Sequence, residues 1–173
     1  QQSPNEALAE RALALGPGAR GDGAALVARY QGALDLEGRP ELGRALYEEH
    51  CAVCHRFGGQ GGEVGPALDG IGATSGEELL VHVLDPSRNV EANYQLWTAV
   101  TFDGVIHAGR LLGETRTTLE LIDVQARTTT LEKEEVELLS PSPVSLMPSG
   151  FESLGEQGLA DLFAFLRSQE DHR

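Results

Sequence analysis

Residues 50–58 read HCAVCHRFG. Two cysteines stand three apart, a histidine follows the second directly, and the 173-residue chain has no other cysteine. Three chemistries use such a pair. A structural zinc site usually takes four Cys or His ligands, commonly as two pairs. Here there is one pair, and His50, His82 and His107 have no matching spacing. A redox dithiol is expected to follow a strand and open a helix within a βαβ pattern. Here the pair ends a predicted helix, PELGRALYEEH at 40–50, whose Pro40 suits a first helical position. Neither reading accounts for a histidine directly after the second cysteine.

Covalent haem attachment uses all three residues. The thiols of Cys51 and Cys54 would add across the two vinyl groups of the porphyrin to give thioethers, and His55 would become an axial ligand of the iron. With both thiols consumed no disulfide is possible, which suits a chain with no further cysteine. The expected cofactor is therefore one covalent haem c.

A second axial ligand is then sought. Met147 is the only methionine and sits in SLMPSG, between prolines. Most methionines fill gaps in a core. A methionine in a proline-punctuated loop, 140–151, is instead placed to hold a thioether over an iron, and thioether with imidazole favours the ferrous state. Metal-bound imidazoles hold their far nitrogen on an acceptor. In GPAL at 65–68, Pro66 has no N–H but a rigidly placed carbonyl, so it is assigned as acceptor from His55 Nδ1–H; the plain alternative is a turn.

Working outward, the Gly-rich stretch 57–72 allows close backbone approach. NEALAERALAL (5–15) and AALVARYQGAL (24–34) read as helices separated by GPGARGDG. ATSGEELLVHVLDPS (73–87) carries two overlapping capping boxes, Thr74 with Glu77 and Ser75 with Glu78, and Pro86 ends its helix. From 94 to 139 the apolar period becomes two, with Leu96, Val100 and Phe102 on one face and Asp103-Gly104 as a hairpin signal. Four or five short antiparallel strands follow. The last helix, within 152–169, is capped by Ser153 with Glu156 and buries Leu159, Leu162, Phe163 and Leu166. In the helix before Cys51, Leu42, Ala45 and Leu46 recur at helical spacing.

The net charge is −14 and aromatics make up 5% of the chain. An acidic surface excludes binding to nucleic acid phosphates and suits a partner with a basic docking surface. Sparse aromatics suit a core completed by a large apolar cofactor. No apolar run is long enough to span a bilayer.

These blocks resemble a mono-haem, class I-type cytochrome c: Gly43 and Tyr47 in the first helix, CAVCH, GPAL, SLMP, and DLFAFL at 161–166. In that family the first and last helices cross at a small residue facing an aromatic, which maps to Gly43 and Tyr47 against Leu162 and Phe165. GPALDGIG, LLVHVLDPSRNVEANY, the TFDG hairpin and SLMPSGF are similar to a narrower group. That group is the haem-binding cytochrome c domain found fused to large dehydrogenase-like or repeat proteins, with a strand-rich insertion before the Met loop. The resemblance implies a mainly α cytochrome c fold with a small antiparallel β-sheet insertion and an N-terminal helical extension. Residues 1–38 would be the extension and 39–173 the cytochrome c domain, with the insertion at about 94–139.

The implied function is electron transfer, Fe(II)/Fe(III) cycling between redox partners, with no enzymatic activity of its own; the chain could be the electron-accepting domain of a larger dehydrogenase. The alternative is a peroxidase-like enzyme or gas sensor, should Met147 be labile, with Glu152 or His107 serving as a distal group. A third reading is an interaction module in which the sheet docks a partner. Tyr94 and Trp97 are candidates for haem propionate hydrogen bonds or for sheet core. Covalent haem implies a periplasmic or other extracytoplasmic location after removal of a signal sequence.

Overall fold

The computed structural model describes residues 22–168, and these divide into two compact units. One holds residues 22–89 and 149–168, the other residues 90–148. The expected helix at 5–15, and with it most of the N-terminal extension, lies outside the described residues.

The first unit is helical. It contains α1 (Gly23–Arg29), α2 (Pro40–His50), α3 (Gly76–Leu84) and α4 (Gly155–Arg167). Helix α1 begins where the Asp22 side chain accepts from the Ala25 N–H. Helix α3 begins where Ser75 Oγ accepts from the Glu78 N–H, so of the two overlapping capping boxes the chain uses the second. It ends at Leu84, ahead of Pro86. The box expected from Ser153 and Glu156 does not form. Ser153 Oγ instead donates to the Gly150 carbonyl in a 3-10 turn over Phe151–Leu154, and α4 starts without a side-chain cap.

Helix α4 is buried on two sides. Leu159 and Phe163 join Leu79, Leu80, Val83, Leu84, Val27 and Ala33 in one apolar cluster. Leu162, Phe165 and Leu166 join Tyr47 and Phe57 in another. A helix with apolar residues on most of its circumference must be the centre of its unit. Helix α2 meets it through Gly43, where a β-carbon would lie 1.9 Å from the Asp161 carbonyl oxygen. The inner face of α2 is therefore Gly43 and Tyr47. Leu42, expected on that face, is 47% exposed. Close approach of two helix backbones needs the smallest residue at the crossing, not the largest.

The second unit is a five-stranded antiparallel sheet of β3 (Gln95–Thr101), β4 (Ile106–Glu114), β5 (Thr118–Ile122), β6 (Thr128–Glu132) and β7 (Val136–Ser145). (Two short strands, β1 at Arg56–Phe57 and β2 at Gln60–Gly61, belong to the helical unit.) The order is β6-β5-β4-β3-β7: four strands meander, and a 3-10 turn at Lys133–Glu135 returns the last to pair with the first. Ala99, Leu119, Leu121 and Leu131 form the sheet's own buried cluster, with Trp97 packed against it.

This corrects the expected mainly α fold. The sheet is not a small accessory to a helical domain but a unit with its own core, so the chain is mixed, four described helices beside five long-paired strands and a two-stranded ribbon. The strand segments are also longer than read from sequence. Residues 140–145, expected as loop because of Pro141 and Pro143, continue β7. Proline lacks a ladder donor, but β7 is an edge strand, where one row of N–H groups has no ladder partner, and its pairing with β3 shifts register between Gln95 and Trp97. Phe102, expected on the buried face with Leu96 and Val100, is 69% exposed because β3 ends at Thr101 and the hairpin turns there, with Gly104 at φ +84°.

Candidate haem-binding site

The CAVCH segment extends the helical path of α2 by one turn. The Cys51 and Ala52 N–H groups both donate to the Tyr47 carbonyl, at 2.8 and 2.9 Å. The Cys54 and His55 N–H groups both donate to the Cys51 carbonyl, at 3.0 and 2.9 Å. No disulfide joins the cysteines, and both are half-buried. Burial pushes the Cys51 thiol up to about 11, with the nearby Cys54 adding to it, and burial raises Cys54 as well.

The Gly-rich stretch folds back over this turn. Strand β1 (Arg56–Phe57) pairs with β2 (Gln60–Gly61) around Gly58-Gly59, both at positive φ, as a two-residue hairpin of this kind requires. Three main-chain hydrogen bonds then lace the returning segment to the motif: Gly62 N–H to Ala52 O at 2.8 Å, Gly65 N–H to Cys54 O at 2.7 Å, and Leu68 N–H to Arg56 O at 2.7 Å. Side chains would block this. A β-carbon at Gly62 would lie 2.1 Å from the Val53 carbonyl oxygen, and one at Gly65 would lie 2.6 Å from His55 Cε1.

The lacing brings His55 Nδ1 to 2.8 Å from the Pro66 carbonyl oxygen. Burial holds the imidazole below its ordinary pKa, against the opposing effect of that hydrogen bond. A neutral ring has one N–H; with it on Nδ1, donated to Pro66, the lone pair is on Nε2. Two thiols on one turn and an imidazole with its far nitrogen already held form a donor set that fits a haem c. Cys51, Cys54, His55 and Pro66 are thus gathered in one turn and its cover. Among the described residues no group of three or more His, Cys, Asp and Glu side chains is gathered so as to hold a metal ion by itself.

Sequence reading did not find the role of the Tyr47 hydroxyl. It donates to the His55 carbonyl at 2.6 Å, while the ring packs at 5.7 Å from Phe57 and 5.5 Å from Phe165. The available signal was a tyrosine at a core position that phenylalanine would fill as well.

Met147 belongs to the sheet unit. It lies two residues beyond Ser145, the last residue of β7, is half-buried, and its N–H donates to Ser145 Oγ at 3.1 Å. Of the two aromatic candidates, Trp97 packs on the sheet core and Tyr94 carries the Arg110 guanidinium 5.1 Å from its ring centroid.

Comparison with known proteins bears on this site. Residues 40–95 match the cytochrome c family model. The match begins at the first residue of α2, takes in the whole CAVCH turn and its glycine cover, and ends at the start of β3. It supports a cytochrome c-type, haem-binding electron-transfer protein. Met147 and α4 lie beyond the matched residues. No curated protein matches the chain. Among the described residues no helix is long and apolar enough to cross a membrane.

Proposed function

We propose that the chain carries one haem c, joined through thioethers to Cys51 and Cys54, with His55 and Met147 as axial ligands, and passes single electrons between redox proteins. The observation that carries this reading is the His55–Pro66 hydrogen bond, which sets the imidazole with Nε2 available beside two unbridged thiols. When bound, the haem supplies the one-electron Fe(II)/Fe(III) couple. The protein's part is to hold ligands still, so that little rearranges with each electron. Pro66 fixes the His55 tautomer, and Gly65 lies flat against the ring. A Met147 thioether would favour the ferrous iron.

The charge of −14 favours a partner with a basic docking surface and an encounter that weakens with salt. Thioether attachment favours a site outside the cytoplasm, and residues 94–139 are read as an insertion within a haem-binding domain of 39–173.

Absorption spectra of the purified ferric and ferrous protein, with and without carbon monoxide, test the reading. A low-spin ferrous spectrum, a far-red sulfur-to-iron band that Met147→Ala abolishes, and indifference to carbon monoxide are expected. A high-spin iron that takes up carbon monoxide would mean an accessible sixth position, and peroxidase or gas-sensing chemistry in place of a carrier.

A further inference from the structure

The His55 side chain is fixed at its ring by Pro66 and Gly65, but a ring can be no better placed than the backbone that bears it. That backbone has two anchors. The His55 N–H donates to Cys51 O at 2.9 Å, within the same turn. The His55 carbonyl is held by a group from outside the turn, the Tyr47 hydroxyl, at 2.6 Å.

The hydroxyl has little room to act elsewhere. Its next acceptor, the Gln60 carbonyl, is at 3.5 Å. Gly61, at φ +109°, closes over the pair: a β-carbon there would lie 2.2 Å from the His55 carbonyl oxygen and 3.0 Å from the Tyr47 hydroxyl. The tyrosine ring is wedged among Phe57 and Phe165 and is 4% exposed, so the hydroxyl is aimed by a rigid aromatic cluster. The anchor therefore ties the imidazole-bearing residue to the α2–α4 crossing.

We propose that Tyr47 is a positioning residue for the axial imidazole: its hydroxyl, by holding the His55 carbonyl, sets the plane of the His55 ring and so tunes the iron. This rests on the proposal that His55 ligates a haem. Packing alone predicts something different. Phenylalanine would fill the same space, so a merely structural Tyr47 would tolerate the loss of its oxygen at the iron.

The test uses the matured holoprotein as wild type, Tyr47→Phe and Leu80→Ala. The last opens the other apolar cluster of the same unit, which does not include Tyr47. Three readouts are compared: melting temperature, the g values of the ferric electron paramagnetic resonance spectrum, and hydrogen exchange at His55 Nδ1. In Tyr47→Phe the largest g value should shift and broaden, and Nδ1 exchange should quicken by about tenfold, the factor expected for one lost hydrogen bond of ordinary net strength. In Leu80→Ala both should stay at wild-type values although melting falls. Wild-type g values and exchange in Tyr47→Phe would overturn the proposal, as would equal shifts in both variants, which would make Tyr47 a packing residue only. A wild-type protein lacking a histidine-ligated haem spectrum would overturn the ligation reading itself, and this inference with it.

Discussion

The Asp161 carboxylate, on α4, holds Arg39 at three points: its Oδ1 accepts from the Arg39 main-chain N–H at 2.9 Å and from Nε at 3.2 Å, and its Oδ2 accepts from the guanidinium at 2.7 Å. Gln157 adds a fourth bond at 2.9 Å. Arg39 is the residue before α2, so one carboxylate, 3% exposed, pins the start of the motif-bearing helix to the central one.

That arrangement predicts an acid-labile unit. The hydrogen bonds from Arg39 hold the Asp161 carboxyl below its ordinary range, against burial. A carboxylate lowered on folding contributes stability that is present above its unfolded pKa and lost as pH falls through its folded one. Melting temperature should therefore drop in the acid range below about pH 4, the ordinary Asp value. Asp161→Ala should lower stability at neutral pH by about 1–3 kcal/mol, since it removes the buried carboxylate that accepts the charge-assisted hydrogen bonds of the half-exposed Arg39. It should also flatten the acid dependence. Thermal melts of both proteins between pH 7 and pH 3 check this, and a parallel pair of curves would contradict it.

Gly43→Ala should be more damaging than its one methyl suggests. The added carbon would meet a backbone carbonyl at 1.9 Å, which cannot swing aside as a side chain can. Helix α2 would have to retreat from α4, at about 3 kcal/mol, the upper end for overpacking. Denaturant unfolding measures it; a loss under 1 kcal/mol would show that the crossing is softer than the contact implies.

Gly65→Ala probes the site rather than the fold. Its methyl would lie between 2.6 and 3.0 Å from three atoms of the His55 ring. The ring must turn or the 62–68 segment must lift. In the matured protein the expected result is an altered low-spin spectrum with melting changed less than in Gly43→Ala. An unaltered spectrum would mean that the cover yields and the ring does not.

Covalent attachment is checked on a denaturing gel stained for haem peroxidase activity. Cys51→Ala and Cys54→Ala together should leave no haem with the chain, while either alone leaves one thioether. Staining of the double variant would remove the thioether assignment.

The sheet's separate core gives a contrast between two large apolar residues. Leu119→Ala, at 1% exposure, should destabilise by about 2–5 kcal/mol. Phe102→Ser, at the exposed hairpin tip, should stay within about 0.5 kcal/mol of wild type. Paired urea titrations decide it; a large loss at Phe102 would put the residue inside something it covers.

Local structure in this chain was legible where one residue type had one use: Asp103-Gly104 marked its turn, Pro86 ended α3, and GPAL placed the Pro66 carbonyl on His55 Nδ1. What could not be read were features set by partners distant in sequence. Pro141 and Pro143 argue for a loop until the strand order makes β7 an edge. Leu42 and Ala45 look like the inner face of α2 until the Gly43 contact turns the helix about its axis. Tyr47 reads as bulk until its oxygen is found on a carbonyl eight residues away. The mainly α expectation failed for a related cause: a family likeness weighted toward the motif-bearing helices says little about how large a core the intervening strands can build among themselves.

The pairing of β3 with β7 has a consequence for how the chain is threaded. Gln95 and Ser145 are register partners, so the sheet unit starts and finishes on adjacent strands, with Cα atoms about 5 Å apart in such a pair. The helical unit is interrupted by residues 90–148, yet once the sheet has folded, that interruption has the reach of a short loop. Shortening an effective connector from roughly sixty residues to roughly eight relieves about 2 kcal/mol of closure entropy by the logarithmic rule. An insert with neighbouring ends thus works as a clasp: it lets Arg39 and Asp161, 122 positions apart, meet as though they were near in sequence.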